Sequence, residues 1–199
     1  MLFKRRFKHI WLRQEYVPGN NSRTVYYLNH HSWWDGIIPL LLNEYLLKQK
    51  ARALMEDKQM RQYPFFKKIG AFSIDRDDPR KAITSLRYAV QSMKRDSASL
   101  FIYPEGKITP AGSPMKFEGG LAWLQSKIPE ADFVPIGIYM HTIRHDKPEL
   151  HLQIGESVKP DLNLSNKELT KVYENELNDI LDELRATAGF DDSLYEPFL

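Results

Sequence analysis

The chain has 199 residues and no cysteine, 42% of its residues are hydrophobic, and its formal net charge is only +2. This length suits about one domain with a substantial core, and the composition argues against disorder. The lack of cysteine excludes disulfides, thiolate metal sites and a cysteine nucleophile. No apolar run approaches the roughly 20 residues that span a bilayer, and the basic N-terminus lacks the apolar region of a signal peptide. The sequence therefore predicts a soluble or peripheral cytoplasmic protein.

The chain opens with a basic and aromatic segment. Residues 1–13 (MLFKRRFKHIWLR) hold five lysines and arginines and no acidic residue. On a helix, the apolar residues of this segment would lie near one face; they are Phe3, Phe7, Ile10 and Trp11. We therefore predict that residues 1–22 form a basic amphipathic segment that can anchor the protein at a membrane surface. A frayed or core-packed terminus explains the pattern equally well. A nucleic-acid partner is not indicated, because no RNA- or DNA-binding signature accompanies the charge.

Residues 23–199 alternate predicted strands with predicted helices. The predicted strands cover residues 23–28, 51–55, 71–74, 98–103, 133–139 and 150–154. The predicted helices cover residues 33–50, 58–69, 79–94, 119–128 and 165–186, the second of them around Pro64. Strands that alternate with helices of this length are typical of an α/β fold. We therefore predict a single α/β domain over residues 23–199, with a mixed, mostly parallel central sheet flanked by helices.

The segment 29–35 (NHHSWWD) lies where the first of these strands runs into a helix. Ser32 and Asp35 have the spacing of a capping box, which places His30 just outside the helix. The carboxylate of Asp35 could then fix one imidazole nitrogen and leave the other to accept a proton. This is the base half of a catalytic triad without a protein nucleophile. A plain helix cap beside two incidental histidines explains the segment about as well, because short motifs are weak signals.

Two later strand ends also carry polar residues. Arg76 follows the strand 71–74 and could bind a phosphate bidentately, although pairing with the neighbouring aspartates is the simpler explanation of this residue alone. Glu105 ends the buried strand 98–103, at the edge where open α/β sheets bind ligands. Gly106 permits close approach of the backbone to a substrate. An ordinary turn is the alternative explanation of this Pro-Glu-Gly sequence.

Together these segments resemble the signature of the glycerolipid (lysophospholipid) acyltransferase family, which includes the 1-acylglycerol-3-phosphate acyltransferases. The first block of that family is a histidine, four residues and an aspartate, which His30 and Asp35 match. The second block resembles residues 70–76 (GAFSIDR), the third 103–106 (YPEG) and the fourth 134–136 (VPI). All four occur in the family's order, and four ordered blocks are far more specific than any one of them.

The resemblance implies direct transfer of a fatty acyl group from a thioester to a hydroxyl of a membrane-associated lipid. His30 would act as general base, Asp35 would orient it, and lysophosphatidic acid would be the default acceptor. Substrate-binding roles are then expected for four residues, Arg76, Glu105, Gly106 and Lys107. The expected partners are the lipid acceptor, the membrane surface and the acyl donor, either acyl-CoA or acyl carrier protein. The donor is a co-substrate, and the mechanism requires no metal or bound cofactor.

One departure from the family pattern leaves the acceptor open. The third block usually continues Gly-Thr-Arg-Ser, whereas this chain has Ile108 where the family has arginine. Recognition of a phosphate would then fall to Arg76, Lys107 or Lys116. Otherwise the acceptor is a glycolipid, an amino-acid lipid, a carotenoid glycoside or another hydroxylated lipid.

Other assignments also remain open. His31 lies four positions before Asp35 and on a continuous helix could reach the same carboxylate, so it is the rival of His30. A non-catalytic peripheral lipid-binding module and a thioester hydrolase are the competing function classes. The intact set of His30, Asp35 and Glu105 argues against the non-catalytic module. The remaining histidines lack a comparable carboxylate spacing and are predicted to be surface or structural; they are His9, His141, His145 and His151.

Overall fold

A computed structural model of the protein describes residues 2–161 and 163–199. Its strands are β1 (Ile10–Gln14), β2 (Thr24–Leu28), β3 (Ala51–Glu56), β4 (Ala71–Ile74), β5 (Ser99–Ile102), β6 (Asp132–His141), β7 (Glu149–Ile154) and β8 (Glu196–Pro197). Its α-helices are α1 (Leu2–Arg6), α2 (Ile38–Leu42), α3 (Asp57–Gln62), α4 (Phe65–Lys68), α5 (Pro79–Asp96), α6 (Gly120–Lys127) and α7 (Asn166–Thr187). Two 3-10 turns cover Trp33–Ile37 and Asp192–Leu194, and a π-helical turn covers Asn43–Leu47.

All eight strands belong to one sheet, in the order β4-β3-β5-β2-β6-β7-β1-β8. The first five strands in that order are parallel to their neighbours. β7 is antiparallel to β6, β1 is parallel to β7, and β8 is antiparallel to β1. The predicted fold class, a mixed and mostly parallel sheet flanked by helices, is therefore confirmed. The carboxyl ends of β2 to β6 all lie at one edge of this sheet.

Helices cover both faces of the sheet, and β2 shows the consequence. Val25 and Tyr27 point into the core under α5, α6 and α7, whereas Tyr26 and Leu28 point into the core under α2. All five residues of β2 are buried. This explains why the apolar residues of this strand are consecutive and do not alternate with polar ones. β2 is thus held from both sides at the position from which it delivers the segment 29–35.

The predicted helix over residues 33–50 forms three short pieces. A 3-10 turn comes first, α2 begins with Pro39 in its first turn, and a π-helical turn ends where Lys48 adopts a left-handed conformation (φ 49°). Pro39 has no backbone N–H, so it cannot continue the hydrogen bonds of a preceding helix and instead suits the start of a new one. The predicted helix over residues 58–69 is divided at Pro64 into α3 and α4 for the same reason.

The N-terminal segment differs from the prediction. Only residues 2–6 are helical; β1 follows and pairs with β7 inside the sheet, and neither β1 nor β8 was predicted. Phe7 is 3% exposed and packs edge-on against Trp34, with 5.4 Å between ring centroids. The single helical face of apolar residues is therefore not formed, and β1 lies in the same sheet as the strands of residues 23–199. Within the described part of the chain, no helix is both long and apolar enough to cross a bilayer.

Candidate active site

The residues predicted to carry the chemistry come from different strands and meet at one edge of the sheet. His30 follows β2, Arg76 follows β4, and Glu105 follows β5. Because β2, β4 and β5 run in the same direction, their carboxyl ends lie on the same side. This edge is where doubly wound and related α/β sheets place their ligands.

Asp35 is the buried centre of the site. Its side chain is fully buried, and its Oδ2 accepts hydrogen bonds from the backbone N–H groups of His31 (2.6 Å) and Ser32 (2.7 Å). The Ser32 hydroxyl donates to the other carboxylate oxygen at 2.7 Å. His30 Nδ1 lies 3.2 Å from Asp35 Oδ2. These donors hold the carboxylate against one nitrogen of the His30 ring, and a protonated Nδ1 leaves Nε2 as the proton acceptor.

The loop after β5 fixes the backbone of His30. The His30 N–H donates to Glu105 Oε1 at 3.0 Å, and the His30 carbonyl accepts from the Thr109 N–H at 2.9 Å. The second oxygen of Glu105 accepts from the Thr109 hydroxyl at 2.7 Å, and the residue is only 3% exposed. Both Glu105 oxygens are thus engaged in holding His30. In this geometry the Glu105 carboxylate positions the backbone of His30.

Tyr103 supports the same ring from the side. Its ring lies 4.5 Å from that of His30, between centroids, and its hydroxyl donates to the Asp35 carbonyl. Burial raises the pKa of Tyr103 well above its usual value, so the phenol stays a neutral donor. The sequence indicates Tyr103 only as the first residue of the third family block, and Thr109 was not predicted. The position of Tyr103 at the last residue before the Pro-Glu-Gly turn was the signal available for it.

His31 occupies a different environment from His30. Its Nδ1 lies 3.2 Å from the side-chain nitrogen of Asn29, and Asn29 itself bridges to the backbone of Ile138. Burial lowers the pKa of His31. Only its backbone N–H, and not its ring, bonds to Asp35. The geometry expected of the base, a ring nitrogen on the buried carboxylate, is therefore that of His30.

Arg76 and Gly106 lie against each other. The Arg76 guanidinium donates to the Gly106 carbonyl and also pairs with Glu118 at 3.3 Å. Gly106 has a φ of +67°, and a Cβ there would lie 2.5 Å from Arg76 Cζ. The Gly106 N–H is already bonded to the Tyr103 carbonyl at 2.9 Å. Glycine is therefore needed both for its conformation and for the close approach of the guanidinium.

A cavity of about 410 Å³ opens beside His30. Its wall combines apolar side chains from β3, β4, β5 and the surrounding helices with a few charged groups near the loop after β5. Arg76, Lys107 and Ile108 all line it, so the residue that departs from the family pattern lies at the cavity itself. A smaller cavity of about 110 Å³ shares Gly36, Pro39 and other lining residues with it. A mostly apolar pocket of this size with a few convergent polar groups suits a small-molecule or lipid ligand.

Comparison with known proteins shows the family of the chain. The family model described as "Acyltransferase" matches residues 9–143, which is more than half of the chain and includes the site residues named above. The chain belongs to the acyltransferase family. The resemblance read from the four sequence blocks is thereby confirmed. Residues 9–22 fall inside the match, in agreement with the place of β1 in the sheet.

One curated protein and one solved structure are similar to this acyltransferase. A 1-acyl-sn-glycerol-3-phosphate acyltransferase of Cocos nucifera is 27% identical over an alignment of 127 positions that covers 61% of this chain and 40% of that protein. The chain thus matches well under half the length of that curated relative. The crystal structure of the 1-acyl-sn-glycerophosphate (LPA) acyltransferase PlsC from Thermotoga maritima superimposes with a TM-score of 0.63 at 20% identity, covering 88% of this chain and 73% of that one. This second likeness shows a shared fold.

Proposed function

We propose that the protein is an O-acyltransferase that moves a fatty acyl group from an acyl thioester to a hydroxyl of a membrane-associated lipid, with lysophosphatidic acid as default acceptor. The observation that carries the proposal is the contact between His30 Nδ1 and the buried carboxylate of Asp35, 3.2 Å apart, beside a largely apolar cavity. Membership of the acyltransferase family supports the reaction class. The names of the relatives support the lysophosphatidic acid acceptor.

In the proposed mechanism His30 is the general base. Asp35 accepts from Nδ1, so Nε2 takes the proton of the acceptor hydroxyl as its oxygen attacks the thioester carbonyl. The new C–O bond forms a tetrahedral oxyanion; when it collapses, the C–S bond breaks and the thiolate receives the proton from the imidazolium. No acyl-enzyme is formed. General base catalysis supplies about 10²–10⁴-fold, so the remaining acceleration comes from positioning and from donors to the oxyanion.

The oxyanion donors are proposed to be backbone amides of the loop after β5. Gly106 is unsuitable because its N–H is bonded to the Tyr103 carbonyl. The next two amides, of Lys107 and Ile108, take part in none of the hydrogen bonds within the described residues. Both residues line the cavity that His30 also lines. We therefore place the oxyanion beside these two N–H groups.

Arg76 and Lys107 are the proposed contacts for a phosphate head group. Both line the cavity, and together they offer a fork of guanidinium donors and a mobile ammonium. A phosphate would share Arg76 with Glu118, which already pairs with it. The acyl donor, acyl-CoA or acyl carrier protein, is proposed as a co-substrate with no further cofactor.

A non-phosphate acceptor is the second candidate, and Ile108 favours it. This side chain is 47% exposed at the cavity where the family has an arginine. An exposed apolar group next to an already paired Arg76 leaves less positive charge for a phosphate than the family pattern does. A glycolipid or another hydroxylated lipid would need no such charge.

The deciding experiment measures thiol release from palmitoyl-CoA by the purified protein, with and without lysophosphatidic acid. We expect acceptor-stimulated release that is lost in His30→Ala and largely kept in His31→Ala. Both variants should remain folded at the assay temperature, and His30→Ala should have a Tm a few degrees below that of the wild type because it removes one of the hydrogen bonds to Asp35. The opposite activity pattern in the two variants would make His31 the base. Release that does not depend on an acceptor would support a thioester hydrolase instead.

Membrane contact is proposed for the surface around α1 and α4. Trp33 and Phe65 are 50% and 56% exposed, and Phe3 joins α1 to the apolar cluster of Phe66 between these elements. Exposed basic residues surround them: Lys4, Arg5, Arg6, Lys67 and Lys68. Aromatic groups at the headgroup level with basic groups beside anionic lipid are typical of interfacial binding. The cavity opens in the same region, since Trp33 and Phe66 line it.

Vesicle sedimentation tests this surface. Deleting residues 1–12 would remove part of β1, so a charge variant is the better probe. Lys4→Ala with Arg5→Ala should weaken binding to anionic vesicles most at low salt, because screening is then weakest. Lys94→Ala with Lys167→Ala, two exposed lysines on other helices, is the matched control. Equal binding of the two double variants would show that α1 is not part of the membrane contact.

A further inference from the structure

Four histidines that the acyl-transfer mechanism does not use converge around one buried carboxylate. They are His9, His141, His145 and His151, and the carboxylate is Glu149 at the start of β7, which is fully buried. The rings of His9 and His145 lie 5.5 Å apart, and those of His141 and His151 lie 5.0 Å apart, between centroids. The cluster gathers where β1 begins, β6 ends and β7 begins, so it is formed by three separate parts of the chain.

Three members of the cluster have the spacing of metal ligands. One donor atom from each of His9, His145 and Glu149 lies within 4.8 Å of the others. In a tetrahedral zinc site with bonds of about 2.0–2.1 Å, the ligand atoms lie about 3.3 Å apart. No pair of these donors therefore has to close by more than about 1.5 Å, and His145 Nε2 already lies 3.9 Å from Glu149 Oε1. His9 is exposed and the His145 side chain is 34% exposed, so rotation of these two side chains provides that movement.

The carboxylate is held in place for such a role. Arg144 donates to both Glu149 oxygens at 3.0 Å, and Trp11 donates to Oε1 at 3.3 Å. Arg144 is itself held by Asp192 at 2.6 Å. Carboxylates that ligate metals are commonly oriented by hydrogen bonds of this kind. Oε1 accepts from both Trp11 and Arg144, so a cation at this oxygen would share it with these donors.

His141 lies beside the same carboxylate as a hydrogen-bond donor and not as a metal ligand. Its Nδ1 accepts from the Ile143 N–H at 3.3 Å, so the neutral ring carries its proton on Nε2. That N–H is buried, has no hydrogen-bond partner in the described part of the chain, and lies 3.9 Å from Glu149 Oε2. The ligand set is therefore confined to His9, His145 and Glu149.

We propose that His9, His145 and Glu149 form a binding site for a divalent transition-metal ion, with zinc the best fit. Two imidazoles and one carboxylate suit zinc, whereas calcium and magnesium take oxygen ligands. Three protein ligands leave the fourth position of a tetrahedral zinc ion to water. His9 directly precedes β1, and its carbonyl accepts from the Leu150 N–H at 3.0 Å. A metal held by His9 and Glu149 would thus fasten the start of β1 to the start of β7.

Zinc titration of untagged, metal-free protein by calorimetry tests the proposal. We expect saturable binding of one zinc per chain, insensitive to magnesium, and a rise in Tm with added zinc. His9→Ala with His145→Ala changes two accessible side chains and should fold. It should bind zinc at least about tenfold more weakly, since even the loss of an outer-shell partner costs 10–100-fold. Asp146→Asn, in the same turn but outside the ligand set, is the matched control and should bind as the wild type does.

Two results would overturn the site. The wild type could show no saturable zinc binding, or the double histidine variant could bind zinc as tightly as Asp146→Asn does. Neither result bears on acyl transfer, because none of these residues lies at the cavity beside His30.

Discussion

Replacement of Asp35 by asparagine separates the charge of this residue from its shape. Asp35 Oδ2 accepts three hydrogen bonds, from His30 Nδ1 and from the N–H groups of His31 and Ser32. The amide oxygen of asparagine can occupy the same position, and its NH₂ group can donate to the Ser32 hydroxyl. Asp35→Asn therefore preserves the orientation of the His30 ring and its tautomer while removing the negative charge.

The magnitude follows from the number of bonds that lose their charged acceptor. A hydrogen bond to a charged group contributes about 1.5–3 kcal/mol and a neutral one about 0.5–1.5 kcal/mol. Three such bonds to Asp35 Oδ2 should lower the free energy of unfolding by about 3 kcal/mol and Tm by about 6–12 °C. Activity should fall about 10²–10³-fold, within the range of general base catalysis, because the imidazolium that forms in the transition state loses its counter-charge.

The assay measures acceptor-dependent thiol release and thermal unfolding on the same samples. Ser32→Ala is the matched control: it removes the hydrogen bond from the Ser32 hydroxyl to Asp35 Oδ1 and leaves the carboxylate charged. We expect this control to lose less than about tenfold in activity. Wild-type activity in Asp35→Asn, at the expected stability, would refute the role of the carboxylate. Equal losses in Asp35→Asn and Ser32→Ala would show that orientation, and not charge, is what Asp35 supplies.

Three further predictions concern other parts of the molecule. Gly106→Ala should displace Arg76, because a Cβ at residue 106 would lie 2.5 Å from Arg76 Cζ and the backbone there has a φ of +67°. We expect the free energy of unfolding, measured in urea, to fall by about 1–2 kcal/mol and the KM for a phosphate acceptor to rise. An unchanged KM would show that Arg76 does not bind the acceptor. Ile108→Arg should raise kcat/KM for lysophosphatidic acid by about tenfold or more, as one added charged hydrogen bond implies, and no gain would favour a non-phosphate acceptor. Burial lowers the pKa of His151 to about 4, so between pH 4 and 6.5 the unfolded chain binds more protons than the folded one. The free energy of unfolding should therefore be highest above pH 6.5 and should decline by up to about 3 kcal/mol as the pH falls to 4. Unfolding of His151→Leu followed over that range should show a shallower decline, and an identical slope in both proteins would exclude His151 as its source.

The sequence by itself determined the six strands β2 to β7, the long helices α5 and α7, the α/β class and the four blocks of the family signature. Each of these is local. β2 and β5 are continuous buried runs, α7 has helical apolar spacing, and the interval from His30 to Asp35 is a spacing along the chain. A single helix was predicted across Pro39 and another around Pro64, and both are divided in the structure. The sequence pattern alone does not distinguish a proline that starts a new helix from a proline that lies within one helix.

Only the tertiary structure decided which partner each side chain meets. The N-terminal segment has the spacing of an amphipathic helix, yet β7 offers an unpaired edge, and pairing with it makes residues 10–14 a strand. Glu105 was expected to face a substrate, but its carboxylate is bonded to the His30 N–H and to Thr109, a contact between residues 75 positions apart. The gathering of His9 and His145 about Glu149 has the same origin. These contacts form because backbone pairing brings distant strands together. The spacing of residues within one segment cannot predict them.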